Sequence, residues 1–271
     1  MAKLNFYRLD RSAMFSLQSD PRFSYCTYVP KNYDPTGDKT YPLVVLIHGS
    51  MRNAYELRDQ FVDFAEARQC ALLAPLFPCG IEGLDDFNNY KHLRYGDVAY
   101  DTVLLDMIDE VSGIFRLNSE KFMMHGFSGG GQFAHRFLLR HPDRLSAISI
   151  AAPGTVTLAD NNAPWWVGTA DMEQQLGAPL RPEMMQNVAV QLVIGANDTS
   201  PEGTKVGEKS TFWMDGINNS GHTRMERINS LAKSLAAIGV PSEMAIVPDA
   251  GHEGDKIQDV VKDFLTRFLA R

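Results

Sequence analysis

The sequence predicts an α/β protein built on a mostly parallel sheet, and three observations carry that prediction. Short apolar runs alternate with stretches of helical spacing from about Tyr41 to the C-terminus. Several of these runs are apolar throughout, as strands covered on both faces must be. No linker-like composition interrupts the alternation, so the 271 residues read as one domain, 1–271.

Taken in order, "FSYCTYVP" at Phe23 to Pro30 alternates like an early antiparallel strand, and "PLVVLIHG" at Pro42 to Gly49 reads as a strand buried on both faces. "CALLAPLFP", "KFMMHG", "RLSAISIAAPG", "VAVQLVIGAND" and "SEMAIVPDAGH" repeat the pattern. Between them, Val103, Leu104, Met107, Ile108 and Val111 share a helix face, as do Ile228, Leu231, Ala232 and Leu235. The last helix carries Ile257, Val260, Val261, Phe264, Leu265 and Phe268 on one side. Two segments, about 154–187 and 199–222, exceed the usual length of a connection and are expected to be lid-like or pocket-forming insertions.

Composition excludes several classes. A net charge of -7 repels phosphates and anionic lipid, and no basic cluster offsets it, so neither nucleic acid nor membrane is expected as a partner. The apolar runs are too short to span a bilayer. The first twenty residues are broken by charge every few positions and lack the apolar core of a signal peptide. Cys26, Cys70 and Cys79 form neither a disulfide framework nor a zinc motif, so a reducing, cytoplasmic setting is expected. No histidine pair has metal spacing with an acidic partner, and no metal is expected. Nothing in the sequence sets the oligomeric state.

The chemistry concentrates at "GFSGG", Gly126 to Gly130, which matches G-x-S-x-G. By chance such a match arises about one time in ten in a chain of this composition. Context strengthens it: an apolar strand precedes Ser128, and "GQFAHRFLLR" follows as a helix that ends before Pro142. A serine hydroxyl is a poor nucleophile at neutral pH, so it needs a base and a carboxylate to orient that base. Asp198 follows one later strand and His252 the next, giving the chain order Ser, Asp, His. His222 is the alternative base, and Asp171 and Asp249 are alternative acids. For the oxyanion, the backbone N–H groups of Gly129 and Ser50 are the expected donors, with Met51 next after Ser50.

Taken together, "HGS", "GFSGG", "GAND" and "AGH" resemble the α/β-hydrolase superfamily over roughly Tyr41 to Arg271. "YPLVVLIHGSMRNA", "ALLAPLFP" and the run from "GDVAYDTVLLDMI" to "AAPG" look like its polyhydroxybutyrate depolymerase-like and feruloyl-esterase-like serine esterases. The resemblance implies a serine hydrolase with no cofactor, using Ser128, Asp198 and His252. Secreted polymer-degrading members carry a signal peptide and often disulfides, and neither is expected here. An intracellular esterase acting on small soluble esters is therefore expected. Peptidase, thioesterase and lactonase activity share the same machinery, and a non-catalytic binding protein on this fold is the alternative of another class. Trp165, Trp166 and Trp213, which fall in the insertions, together with Met51, are the expected walls of an apolar pocket. Arg181, Arg224, Met184 and Met185 are further candidates.

Overall fold

Successive residues of Tyr41–Ile47 (β3) point to opposite faces of one sheet: Val45 and Ile47 join one apolar layer, Val44 and Leu46 the other. The same alternation runs through Ala71–Leu76 (β4), Leu117–Phe127 (β7), Leu145–Ala151 (β8) and Ala189–Gly195 (β9). Burial on both faces explains why these strands read as apolar runs. The computed structural model describes residues 4–84 and 86–269.

Eight strands form the central sheet in the order β1-β2-β4-β3-β7-β8-β9-β10, where β1 is Phe15–Ser16, β2 is Ser24–Tyr28 and β10 is Ser242–Val247. From β4 to β10 every neighbour is parallel, while β1 and β2 add antiparallel pairs at one edge. A small hairpin, Arg94–Tyr95 (β5) with Val98–Ala99 (β6), stands apart. One face is covered by Tyr100–Ile114 (α3), Gly129–Arg140 (α4) and Arg224–Ala237 (α7). The other face is covered by Ala54–Gln60 (α1), Val62–Arg68 (α2) and Gln258–Leu269 (α8), while the short helices Met172–Leu176 (α5) and Pro182–Met185 (α6) belong to the β8–β9 connection. This is the α/β-hydrolase architecture that the resemblance implies.

Both expected insertions exist as long connections, one between β8 and β9 and one between β9 and α7. The second is built of turns and bends between Asp198 and the α7 N-cap. A third long segment, from Phe77 to β5, follows β4 and contains a 3₁₀ turn, Asn89–His92. Among the described residues, no helix is long and apolar enough to cross a membrane.

Candidate active site

Ser128 stands between β7 and α4 with φ 58° and ψ −112°, a combination that costs a residue with a side chain about 1–3 kcal/mol. Its neighbours explain the glycines. A Cβ on Gly126 would collide with the carbonyl of Gly130, and one on Gly130 would collide with the carbonyl of Ile47. The turn packs so tightly onto the end of β3 that the serine hydroxyl is pushed above the sheet edge.

Oγ of Ser128 lies 2.9 Å from Nε2 of His252, and Nδ1 of the same ring lies 2.7 Å from Oδ2 of Asp198. An ionised carboxylate only accepts, so Nδ1 carries the proton and Nε2 accepts from the serine hydroxyl. Three segments separated by up to 124 positions thus share one relay. The loops after β9 and β10 are held together by backbone bonds, Asn197 N–H to Ala250 O at 2.8 Å and Ala196 N–H to Val247 O at 2.9 Å. Gly195 permits their close approach, because a Cβ there would meet the carbonyls of Ala250 and Gly251. The His252 ring also stacks on Phe127, centroids 4.7 Å apart.

Asp198 is only 2% exposed, and its second oxygen accepts from Arg224 Nη1 at 3.3 Å. Arg224 is the first residue of α7, whose start is set by a capping box between Thr223 and Glu226. The alternative residues have other partners. Asp171 accepts from Trp165 N–H and Gln175, Asp249 occupies a left-handed turn position at φ 56°, and the His222 backbone bonds Glu226 and Thr204.

Ser50 and Gly129 flank Ser128. Among the described residues, neither backbone N–H donates to a protein acceptor. The Ser50 loop is pinned by His48, whose Nδ1–H donates to Gly49 O at 2.8 Å and whose Nε2 accepts from Phe77 N–H at 3.0 Å. Burial lowers the pKa of this imidazole to about 4, so it stays neutral and keeps both bonds. Arg52 and Tyr90 add bonds to the Ser50 and His48 carbonyls, at 2.6 Å and 3.0 Å.

Two cavities meet at Ser128. One, about 670 Å³, runs past His252 and is walled by Ile47, Met51, Leu57 and Phe127. The other, about 270 Å³, lies on the Gly129 side and includes Lys91, Gln132, Thr155, Trp166, Phe212 and Arg224. Of the four expected pocket residues, Met51 lines the first, where it is 87% exposed, and Trp166 lines the second. Trp165 and Trp213 lie outside both, and Phe212 takes the place expected of Trp213 beside Trp166 and His92. Arg181 bonds Asp143, and Met185 is buried in the core, away from both cavities. That Lys91, Gln132 and Thr155 line this cavity was not legible in the sequence. The only signal for Lys91 was the length of the segment between β4 and α3.

No protein-family model matches the chain, and no curated protein is significantly similar in sequence. Solved structures do match. Poly(aspartic acid) hydrolase-1 from Sphingomonas sp. KT-1 superposes with a TM-score of 0.75 at 18% identity, covering 94% of this chain and 98% of that one. LpqC, a poly(3-hydroxybutyrate) depolymerase from Bordetella parapertussis, gives 0.69 at 22% identity over 90% and 83% of the two chains. The Staphylococcus aureus fluorophosphonate-binding serine hydrolase FphF gives 0.63 at 14% identity over 97% and 100%. With its parallel sheet, its strained serine turn and these structural likenesses, the chain has the α/β-hydrolase fold.

Proposed function

We propose that this protein is a serine hydrolase that opens carboxylic esters of small molecules through an acyl-enzyme on Ser128. The unbroken relay from Ser128 through His252 to Asp198, displayed on a strained strand-to-helix turn, carries the reading. Ser128 Oγ attacks the ester carbonyl while its proton passes to His252 Nε2, and Asp198 holds the resulting imidazolium in place. The carbonyl oxygen, now negative, receives hydrogen bonds from the N–H groups of Ser50 and Gly129. As the C–O bond breaks, Nε2 returns the proton to the leaving alkoxide, which departs as the alcohol. A water then gives its proton to Nε2 and its oxygen to the acyl carbon. Collapse of that second intermediate reprotonates Ser128 and releases the carboxylic acid.

Cleavage of amides is a second reading, favoured by the likeness to a structure named for poly(aspartic acid), whose backbone is a polyamide. The free thiols of Cys26, Cys70 and Cys79 suit a cytoplasmic protein. The direct test is incubation with a fluorophosphonate probe and mass spectrometry, with Ser128→Ala as control. Label on Ser128, and loss of p-nitrophenyl ester hydrolysis in the variant, is expected. An unlabelled Ser128, or a variant as active as wild type, overturns the reading. A panel of esters, amides, thioesters and lactones then ranks the substrates.

A further inference from the structure

Among the described residues, the smaller cavity beside Ser128 is lined by Lys91, Lys205 and Arg224 and by no Asp or Glu, in a chain of net charge -7. Lys91 is 6% exposed, and among the described residues its ammonium has one protein partner, the neutral Asn88 Oδ1 at 2.6 Å. Among the described residues no carboxylate pairs with it, and the cations that act on it, Arg52 and Arg136, disfavour its charge, opposed only by Cys79. A buried cation without a counter-charge is costly and is commonly completed by a bound anion.

The wall behind Lys91 is also cationic. Arg136 is fully buried and, among the described residues, bonds only neutral oxygens: Lys91 O at 2.7 Å, Thr157 Oγ1 at 2.8 Å, Thr155 Oγ1 at 3.2 Å and Gln132 O at 3.3 Å. Arginine can only donate, so Thr155 Oγ1 accepts from it and its own O–H donates to Gln132 Oε1 at 2.6 Å. This fixes the Gln132 amide with its Nε2 donor beside Gly154, at the cavity wall. Among the described residues, Lys91 Nζ retains two unused N–H bonds, and Arg224, whose Nη1 is paired with Asp198, has its Nε buried without a partner. The cavity therefore presents donors and positive charge.

Its position assigns it to one half of the substrate. His252 must hand its proton to the leaving group, and His252 lines the larger cavity but not the smaller. The leaving alcohol belongs beside His252, and the acyl chain on the Gly129 side, where Cε of Lys91 packs against Gly129.

We propose that the smaller cavity binds the acyl part of the substrate and that this acyl part carries a carboxylate, held by Lys91 and Gln132 with Arg224 and Lys205 at the rim. The substrates are then half-esters of short dicarboxylic acids, a size that about 270 Å³ accommodates. This inference rests on the hydrolase reading above. A burial-lowered lysine pKa of about 8 leaves the ammonium mostly charged at neutral pH.

The test compares mono-p-nitrophenyl glutarate with p-nitrophenyl 5-methylhexanoate, in which an isopropyl group replaces the carboxylate. Wild type at pH 7 is expected to show a kcat/KM at least tenfold higher for the anionic ester, and the ratio of the two should fall at least tenfold in Lys91→Met. Wild type also allows a check without any variant: glutarate should inhibit at least tenfold more tightly than 5-methylhexanoate. Equal rates for the two esters, equal inhibition, or a ratio that survives in a folded Lys91→Met overturns the carboxylate site while leaving the hydrolase intact. If neither ester is cleaved and Ser128 takes no fluorophosphonate, the hydrolase reading itself falls and this inference falls with it.

Discussion

Arg224 and His252 grip opposite oxygens of one buried carboxylate, Arg224 Nη1 at 3.3 Å from Oδ1 of Asp198 and His252 Nδ1 at 2.7 Å from Oδ2. The carboxylate plane is thereby set from two sides, and the imidazole inherits its direction. Replacing Arg224 by Met removes one of the two holds and leaves part of a buried negative charge uncompensated, which costs roughly 3 kcal/mol. The expected result is a lower Tm and about a tenfold lower kcat on a neutral ester such as p-nitrophenyl butyrate. A variant with wild-type kcat would show that His252 alone suffices to orient Asp198.

Asp198 itself is the sharper probe. In Asp198→Asn the side chain can donate to Nδ1, which favours the tautomer whose Nε2 bears the proton and cannot accept from Ser128. We expect kcat to fall about 10⁴-fold with little change in thermal stability, as in other triads altered at this point. Steady-state kinetics with the folded state checked by circular dichroism decides it. A drop of less than tenfold would point to Asp171 or Asp249 as the working acid.

The strain at Ser128 predicts a separation of stability from activity. Its φ of 58° and ψ of −112° suit a residue without Cβ. Ser128→Gly should therefore be more stable than Ser128→Ala by about 1–2 kcal/mol, although both remove the hydroxyl of the proposed nucleophile. Thermal or urea unfolding of the two variants measures the difference. Equal stabilities would mean that the turn relaxes when the hydroxyl is gone.

Acid stability follows from the buried histidines. Burial lowers the pKa of His48 and of His125 to about 4, and that of His92 and His135 well below the ordinary 6.5. Between pH 6.5 and about 4 the unfolded chain binds protons that the folded chain refuses, so stability is full above pH 6.5 and is lost as pH falls through the folded values. For His48 and His125 the loss is on the order of 3 kcal/mol each. The carboxylates whose pKa is lowered, such as Asp143 and Glu66, contribute stability that is full above about pH 4.5 and is lost only below it. Unfolding temperatures at pH 7 and 4.5 should differ strongly in wild type and less in His125→Leu. Parallel pH profiles for the two proteins would remove His125 from the account.

Much of this molecule is written locally. The alternation of apolar runs with helical spacing specifies the parallel sheet, because strands covered on both faces must be apolar throughout. Likewise "GFSGG", "GAND" and "AGH" mark the ends of strands, where side chains escape the core, and so Ser128, Asp198 and His252 were legible in chain order. The edges were less legible. Helices α1 and α2 and the hairpin β5–β6 have short or irregular periodicity and take their form from what they pack against.

What lines the two cavities was decided by the tertiary structure alone. Trp165, Trp166 and Trp213 share composition and setting in the sequence, yet only Trp166 faces the smaller cavity. Lys91 sits in an unremarkable polar stretch, "NNYKHLRYG", and becomes a buried cation only because α4 and the β8–β9 connection close over it with Arg136, Gln132 and Thr155. The sequence by itself determined the fold class and pointed to the three residues that the structure joins in one relay, since both depend on short-range periodicity and on strand ends. The direction of each loop side chain, and with it the charge of the cavity, depends on contacts between residues tens of positions apart, which no local pattern encodes.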